Sequence, residues 1–237
     1  MTKQNLRIVV IDCPIENWNH RVVKETFHKM VDLKLSGFRS RMPSNYLPVD
    51  ASDYIGTHML VCEEVCGNLT PLTGFKGISA DRCLHYGQQF TGRTCISSVQ
   101  SEIHKSVLNQ YIDDALAPGY RLSYIGSYAV APNTPKRIKA ELLRLIFQLI
   151  AFYQVNFKLT RLLAIGSTRS RTNITLRKLG FEPLMHQGST MAPVCIPSLQ
   201  NEEFEVMRLE KLSEACNASI TVYNSLWDNR IEILPNS

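Results

Sequence analysis

Three cations, Lys136, Arg137 and Lys139, crowd the start of a helical segment where electrostatics asks for anions. A helix N-terminus carries roughly half a positive charge, so its first turn ordinarily favours Asp or Glu. Backbone N–H groups at a helix start, with cations added, make a phosphate site. The plainer reading of the same residues is a solvated surface cluster, each cation costing about a few tenths of a kcal/mol. Position after a strand favours the functional reading. Other reactive residues are less organised. Cys62 and Cys66 lie near His58 and His85, but no second tight pair completes a zinc site, and no metal is expected. No Ser-His-Asp order or Gly-x-Ser-x-Gly elbow supports hydrolysis.

The elements that would position the cations follow a strand, helix, strand, helix order. Tyr124 to Ala131 has strand length and composition and ends at the turn residues Pro132 to Pro135. Apolar residues at three- and four-residue steps predict a helix from Pro135 to about Phe157, with Thr134 as N-cap. Leu162 to Ile165 reads as a strand, and Arg171 to Leu179 as a helix stopped by Gly180.

Earlier in the chain, Leu6 to Cys13 reads as a β-branched strand and Glu16 to Ser36 as a helix ended by Gly37. Residues 38–53, with Arg39 and Arg41, show neither period and predict a loop. Met59 to Val65 and Pro71 to Ala80 suggest a hairpin turning on Gly67-Asn68, and Thr94 to Leu116 a covering helix. Beyond Phe181, residues 188–193 and the strand Phe204 to Leu209 are expected as final strands. Cys216 to Ile231 is expected to form a C-terminal helix.

At 237 residues and 44% hydrophobic composition the chain can bury a sizeable core, and one domain is expected over 1–237, with 212–237 as a helical extension. A formal charge of +5 suits an anionic partner without the concentrated basic runs of nucleic-acid arms, so nucleic acid is not the expected partner. No segment approaches the roughly 18 apolar residues of a membrane span, and the N-terminal run lacks the features of a signal peptide. Seven cysteines without a secretory signal point to thiols in a reducing compartment, and a soluble cytoplasmic protein is expected.

Val130-Ala-Pro132 before a helix, then Lys178-Leu-Gly-Phe181 after a later one, resembles the second half of the GNAT acyltransferase superfamily. The resemblance implies an α/β (α+β) fold: a mixed, mostly antiparallel central sheet flanked by helices, with strands four and five splayed apart to admit pantetheine. It also implies a pyrophosphate site on the loop and helix start. Two features depart from the superfamily pattern. Pro135, Ile138 and Ala140 stand where its phosphate loop has Gln or Arg, Gly, and Gly or Ala, so that only Ala140 fits, and Leu176 replaces a common tyrosine acid. A subgroup that often lacks the glycine loop comprises acyl-homoserine-lactone synthases and long-chain N-acyl amino acid synthases. The segment from Asp50 through Asp53 to Met59-Leu60-Val61 is similar to that subgroup in spacing and type, although the subgroup's strand-four Glu and Arg fall on Tyr124 and Ser127.

The resemblance implies an N-acyltransferase moving an acyl group from a pantetheine thioester to a small-molecule amine. The donor is acetyl-CoA, a longer acyl-CoA or the phosphopantetheine of acyl carrier protein, which makes that carrier a candidate partner. Donor binding falls to Val130, Ala131, Lys136, Arg137, Ile138, Lys139 and Ala140. Acid–base candidates are Tyr124, Tyr128 and Asp53, each with a structural alternative as half-buried strand residues or turn former. Arg21, Phe27, Asp50 and Ser167 are the candidates for acceptor contact, and His58 ranks below them. The alternatives are a conventional acetyl-CoA N-acetyltransferase and an inactive GNAT-like binding protein. Oligomeric state is not legible.

Overall fold

The computed structural model describes residues 5–38, 49–199, 201–214, 216–217 and 223–235. By compactness the chain divides into two units: Met1–Gly77, Gly126–Ile150 and Ser219–Ser237 form the first, Ile78–Ile125 and Ala151–Ala218 the second.

The first unit is built on β1 (Leu6–Asp12), β2 (Thr57–Val65), most of β3 (Asn68–Ser79) and the second half of β4 (Leu122–Val130). The antiparallel run β1-β2-β3 is flanked by β4 on one side and, parallel to β1, by the strand Ile231–Ile233 on the other. In β1, Ile8 to Asp12 are all buried, which is why this β-branched run does not alternate in polarity. The β2–β3 turn uses Cys66 at φ 51 and Gly67 at φ 75, one residue before the expected pair. Two positive φ values in a two-residue loop match the twist of a hairpin.

Helix α1 (Arg21–Phe38) places Val23, Phe27 and Met30 in a core cluster with Val9, Ile11 and Leu60. It begins later than Glu16 because single turns precede it, with Asn17 N–H donating to Pro14 O at 3.1 Å and His20 N–H to Asn17 O at 2.9 Å. Gly37 does not end the helix: a glycine costs about 1 kcal/mol in a helix interior, which packing of the apolar face outweighs. Arg39 and Arg41 lie outside the described residues. The far end of the expected loop is helical, since Asp50 caps α2 (Ala51–Ile55).

The second unit orders the first half of β4, β5 (Arg161–Ser167), the strand Glu202–Leu209 and the short strand Glu182–Pro183. β4 and β5 are parallel; Glu202–Leu209 is antiparallel to β5, to Glu182–Pro183 and to Val194–Ile196. Residues 188–193 do not form a final strand. Ser189–Thr190 pairs instead with Met185–His186 in a separate hairpin. The expected helix Thr94 to Leu116 is two pieces, Thr91–Thr94 and Glu102–Ala115, the second begun by Ser101, whose hydroxyl accepts the His104 N–H. The later helix Thr172–Leu179 stops at Gly180, whose φ of 107 suits glycine alone.

The long helix α6 (Lys136–Asn156) starts in the first unit and ends in the second. Of the expected C-terminal helix, residues 216–217 and Asn224–Asp228 are helical and Ile231–Ile233 is a strand on β1, while residues 218–222 lie outside the described ones. The fold is mixed α/β with mostly antiparallel pairing, as expected.

Candidate active site

β4 pairs with β5 from Leu122 opposite Arg161 to Ile125 opposite Ala164, and the register stops there although β4 continues to Val130. The remaining half holds to β3. Thr73 Oγ1 donates to Ala129 O at 2.8 Å, and Ala131 N–H, just past the strand, donates to Leu72 O at 2.8 Å. One backbone edge of Gly126 to Val130 is therefore not paired with β5. Within this half Ser127 adopts φ 57, a left-handed conformation uncommon outside glycine. A left-handed residue inside a strand bends it and re-aims the groups that follow.

The strand runs through Pro132 to Thr134 into α6, whose first turn contains no acid. Lys136 and Arg137 are exposed at the helix start, as is Ala140, while Ile138 is half-buried. Lys139 folds back, its Nζ donating to Pro132 O at 2.9 Å. The two exposed cations thus stand where a helix start already favours an anion.

A second constellation in the same unit is buried. Lys34 on α1 donates from Nζ to Asp53 Oδ1, and Lys76 Nζ on β3 lies 3.1 Å from Asp53 Oδ2. Lys76 also lies 3.3 Å from Asp50 Oδ1 and donates to Ser52 Oγ. Asp50 and Asp53 form a reciprocal cap for α2: Asp50 Oδ1 accepts the Ser52 N–H at 2.8 Å, and Asp53 Oδ2 accepts the Asp50 N–H at 3.0 Å. Burying charge costs several kcal/mol per ion unless it is well paired, and here two lysines converge on one buried carboxylate. Burial alone would raise Asp53; the Lys34 and Lys76 cations outweigh it and hold the carboxyl at about 2. Burial brings Lys34 down to about 8, with Asp53 opposing and Lys76 reinforcing the shift.

His58 on β2 joins this cluster. Its Nε2 lies 2.7 Å from Asp53 O, and because a carbonyl only accepts, Nε2 carries the proton. Nδ1 is buried without a hydrogen-bond partner. Burial, then the Lys34 cation, lowers the imidazole to about 4, so it is neutral near pH 7. Leu33, Lys34, His58 and Phe75 share with Ser127 and Ala129 of β4 the lining of a cavity of about 10 Å³, room for about one water molecule.

The structure thus brings Asp50, Asp53 and His58 together, and gathers Val130, Ala131 and the α6 cations at a strand end. Tyr128 is half-buried; burial pushes its phenol up, with Thr73 opposing, so it keeps its proton. Tyr124 is buried in the half of β4 that belongs to the second unit. Arg21 is exposed and pairs with Glu25 at 3.4 Å. Phe27 is a core residue, its ring 5.3 Å from Trp18, 5.0 Å from Tyr54 and 5.8 Å from His58. Ser167, at the end of β5, donates to the Glu202 carboxylate and accepts the Ser170 N–H at 2.9 Å.

Sequence reasoning missed Lys34, Lys76 and Ser127. Lys34 left a readable signal, since it continues the steps Val23, Phe27, Met30 at a position where an apolar residue belongs. Lys76 and Ser127 left none, because their roles depend on a partner strand and a backbone angle.

No protein-family model matches the chain, and no curated protein does. Solved structures do. A CoA-dependent acyl-homoserine lactone synthase, BjaI, with SAM and isopentyl-CoA is similar at 12% identity and TM-score 0.53, covering 98% of this chain and 94% of that one. The AHL synthase LasI is similar at 11% identity and TM-score 0.50, covering 86% and 88%. At these identities the likeness is one of fold alone.

Proposed function

We propose, from this shared GNAT-like fold, that the chain is an N-acyltransferase moving an acyl group from a pantetheine thioester to the amine of a small molecule. The observation that carries the reading is the second half of β4. Its backbone is anchored to β3, unpaired with β5, bent at Ser127, and continuous with a helix start bearing Lys136 and Arg137. Amide groups of a pantetheine arm can pair along such an edge as an added strand would. Its phosphates then fall to Lys136, Arg137 and the α6 start over Ile138 to Ala140, with Val130 and Ala131 along the arm.

A thioester carbonyl beside re-aimed backbone N–H groups is polarised toward attack, and those groups would stabilise the oxyanion that develops. Tyr128 supplies a protonated phenol for the leaving thiolate, while Tyr124, the other candidate, is buried in the second unit. Asp53 acts by holding Lys34 and Lys76, since a carboxyl at about 2 is too weak a base near pH 7. Arg21 and Asp50, both exposed in the first unit, are retained as candidates for acceptor contact, whereas Phe27 belongs to the core and Ser167 to the second unit. A longer acyl chain on CoA or on carrier protein is the preferred donor, because Ile138 stands where an acetyl-CoA enzyme of this kind keeps glycine.

Thermal unfolding with acetyl-CoA, decanoyl-CoA and decanoyl acyl carrier protein, followed by thiol release with a panel of amines, tests the reading. Stabilisation by the longer donors with amine-dependent release is expected. Stabilisation by acetyl-CoA alone supports the conventional acetyltransferase. No stabilisation and no release overturns the enzyme reading and leaves a binding protein.

A further inference from the structure

The cavity beside β4 holds a group to which acyl transfer has not yet assigned a task. Lys34 reaches it from α1, its side chain 3% exposed, with Asp53 of α2, Lys76 of β3 and His58 of β2 around it. The other carboxylate of the cluster, Asp50, lies 3.3 Å from Lys76 and is 67% exposed, so water weakens its contribution. Two buried ammonium groups therefore face one buried carboxylate. His58 adds no charge, because its proton sits on Nε2 and Nδ1 is bare. In a low-dielectric site the second lysine proton is loosely held. Of the two lysines only Lys34 lines the cavity, whose lining also includes Ser127 and Ala129 of the strand that would carry the thioester.

We infer, resting on the acyltransferase reading, that Lys34 is the general base of this protein: its uncharged Nζ takes the proton of the acceptor ammonium through one water in the cavity between α1 and β4. The lowering of Lys34 to about 8 is what such a base requires, since proton acceptors work best near the operating pH. The step balances. The acceptor ammonium loses one proton through the water to Lys34, and the resulting amine nitrogen forms its bond to the thioester carbon. When the carbon–sulfur bond breaks, Tyr128 gives its proton to the departing sulfur and takes up the second amine proton, giving amide and thiol, and Lys34 returns its proton to solvent. Asp53 and Lys76 are positioning residues here: one orients Nζ, the other keeps the proton labile.

Two measurements decide it. The first is an NMR titration of whole protein labelled with carbon-13 lysine. One lysine resonance is expected to titrate near about 8 and to vanish in Lys34→Arg. If every lysine titrates above about 10, the inference is overturned, and the wild-type spectrum decides this even if the variant fails to fold. The second is thiol release from decanoyl-CoA with the twenty amino acids as acceptors, followed against pH. The rate is expected to rise to a plateau with the same midpoint. Lys34→Arg, which keeps a fixed charge, is expected to lose at least about 100-fold in rate and the pH-dependent rise, while decanoyl-CoA still stabilises it. Turnover by Lys34→Arg with the wild-type rate and pH profile overturns the role of Lys34 and leaves the acyltransferase reading standing. Absence of donor binding and of turnover in the wild type overturns both.

Discussion

The imidazole Nε2 of His58 lies 2.7 Å from the backbone carbonyl of Asp53, which assigns the ring proton to Nε2 and leaves Nδ1 as a bare, buried acceptor. The same contact ties β2 to the short helix that carries Asp53. Protonating this ring would place a third positive charge beside Lys34 and Lys76.

Acid sensitivity follows from that relationship. The folded-state value is lowered, to about 4 from 6.5, so below 6.5 the unfolded chain binds a proton that the native chain refuses. The stabilisation is full above 6.5 and is lost as pH falls to 4, about 3 kcal/mol in all. Urea unfolding across that window should show the loss, and His58→Gln, which keeps a donor for the carbonyl but does not titrate, should flatten it. An unchanged slope in that variant would locate the acid sensitivity elsewhere.

Removing the shared carboxylate should be costlier than removing one of its lysines. Asp53→Asn leaves buried Lys34 without its carboxylate and Lys76 with only the exposed Asp50 as counter-charge, and is expected to destabilise the protein by about 3–5 kcal/mol. Adding Lys34→Met to it should recover part of that loss, because one unpaired charge goes too. Chemical denaturation of the single and double variants measures the coupling; strict additivity would mean that the three groups do not act as a unit.

Gly74 has no room for a side chain. A Cβ there would lie 2.5 Å from Leu60 Cδ2 and 2.8 Å from the carbonyl oxygen of Met59, and the backbone oxygen cannot swing aside. Gly74→Ala should cost about 1–3 kcal/mol and disturb the wall of the cavity at Lys34. A variant as stable as the wild type would show that β2 and β3 shift apart there without penalty.

The exposed cations at the α6 start should matter for the donor and not for the fold. Lys136→Ala with Arg137→Ala is expected to weaken decanoyl-CoA binding by about tenfold at low salt, with the difference shrinking at high salt. Thermal stability should stay level or rise slightly, since cations oppose the helix dipole. Titration calorimetry at two ionic strengths reads both effects, and equal affinities would move the phosphates elsewhere.

Much of the fold was legible in local pattern. The strand to helix passage at Val130 to Lys136, the helix Thr172–Leu179 with its glycine stop, and the β2–β3 hairpin all rest on residues close in sequence. Mistakes came where the local signal was weak or shared. The run from Glu16 has helical spacing but turns until His20, and the stretch from Thr94 is interrupted by the cap at Ser101. At the C-terminus, a three-residue strand added to β1 cannot be told from helix by apolar spacing alone.

By itself the sequence determined the strand-to-helix passage at Val130 to Lys136, the cations at the start of α6 and the glycine stop at Gly180, because each depends on neighbours within a few residues. Tertiary structure decided which charges are buried together. Lys34, Asp53, His58 and Lys76 come from four different elements, and only packing brings two ammonium groups onto one carboxylate beside the bend at Ser127. The strength of that coupling depends on distance and exclusion of water, and neither is written in the order of residues.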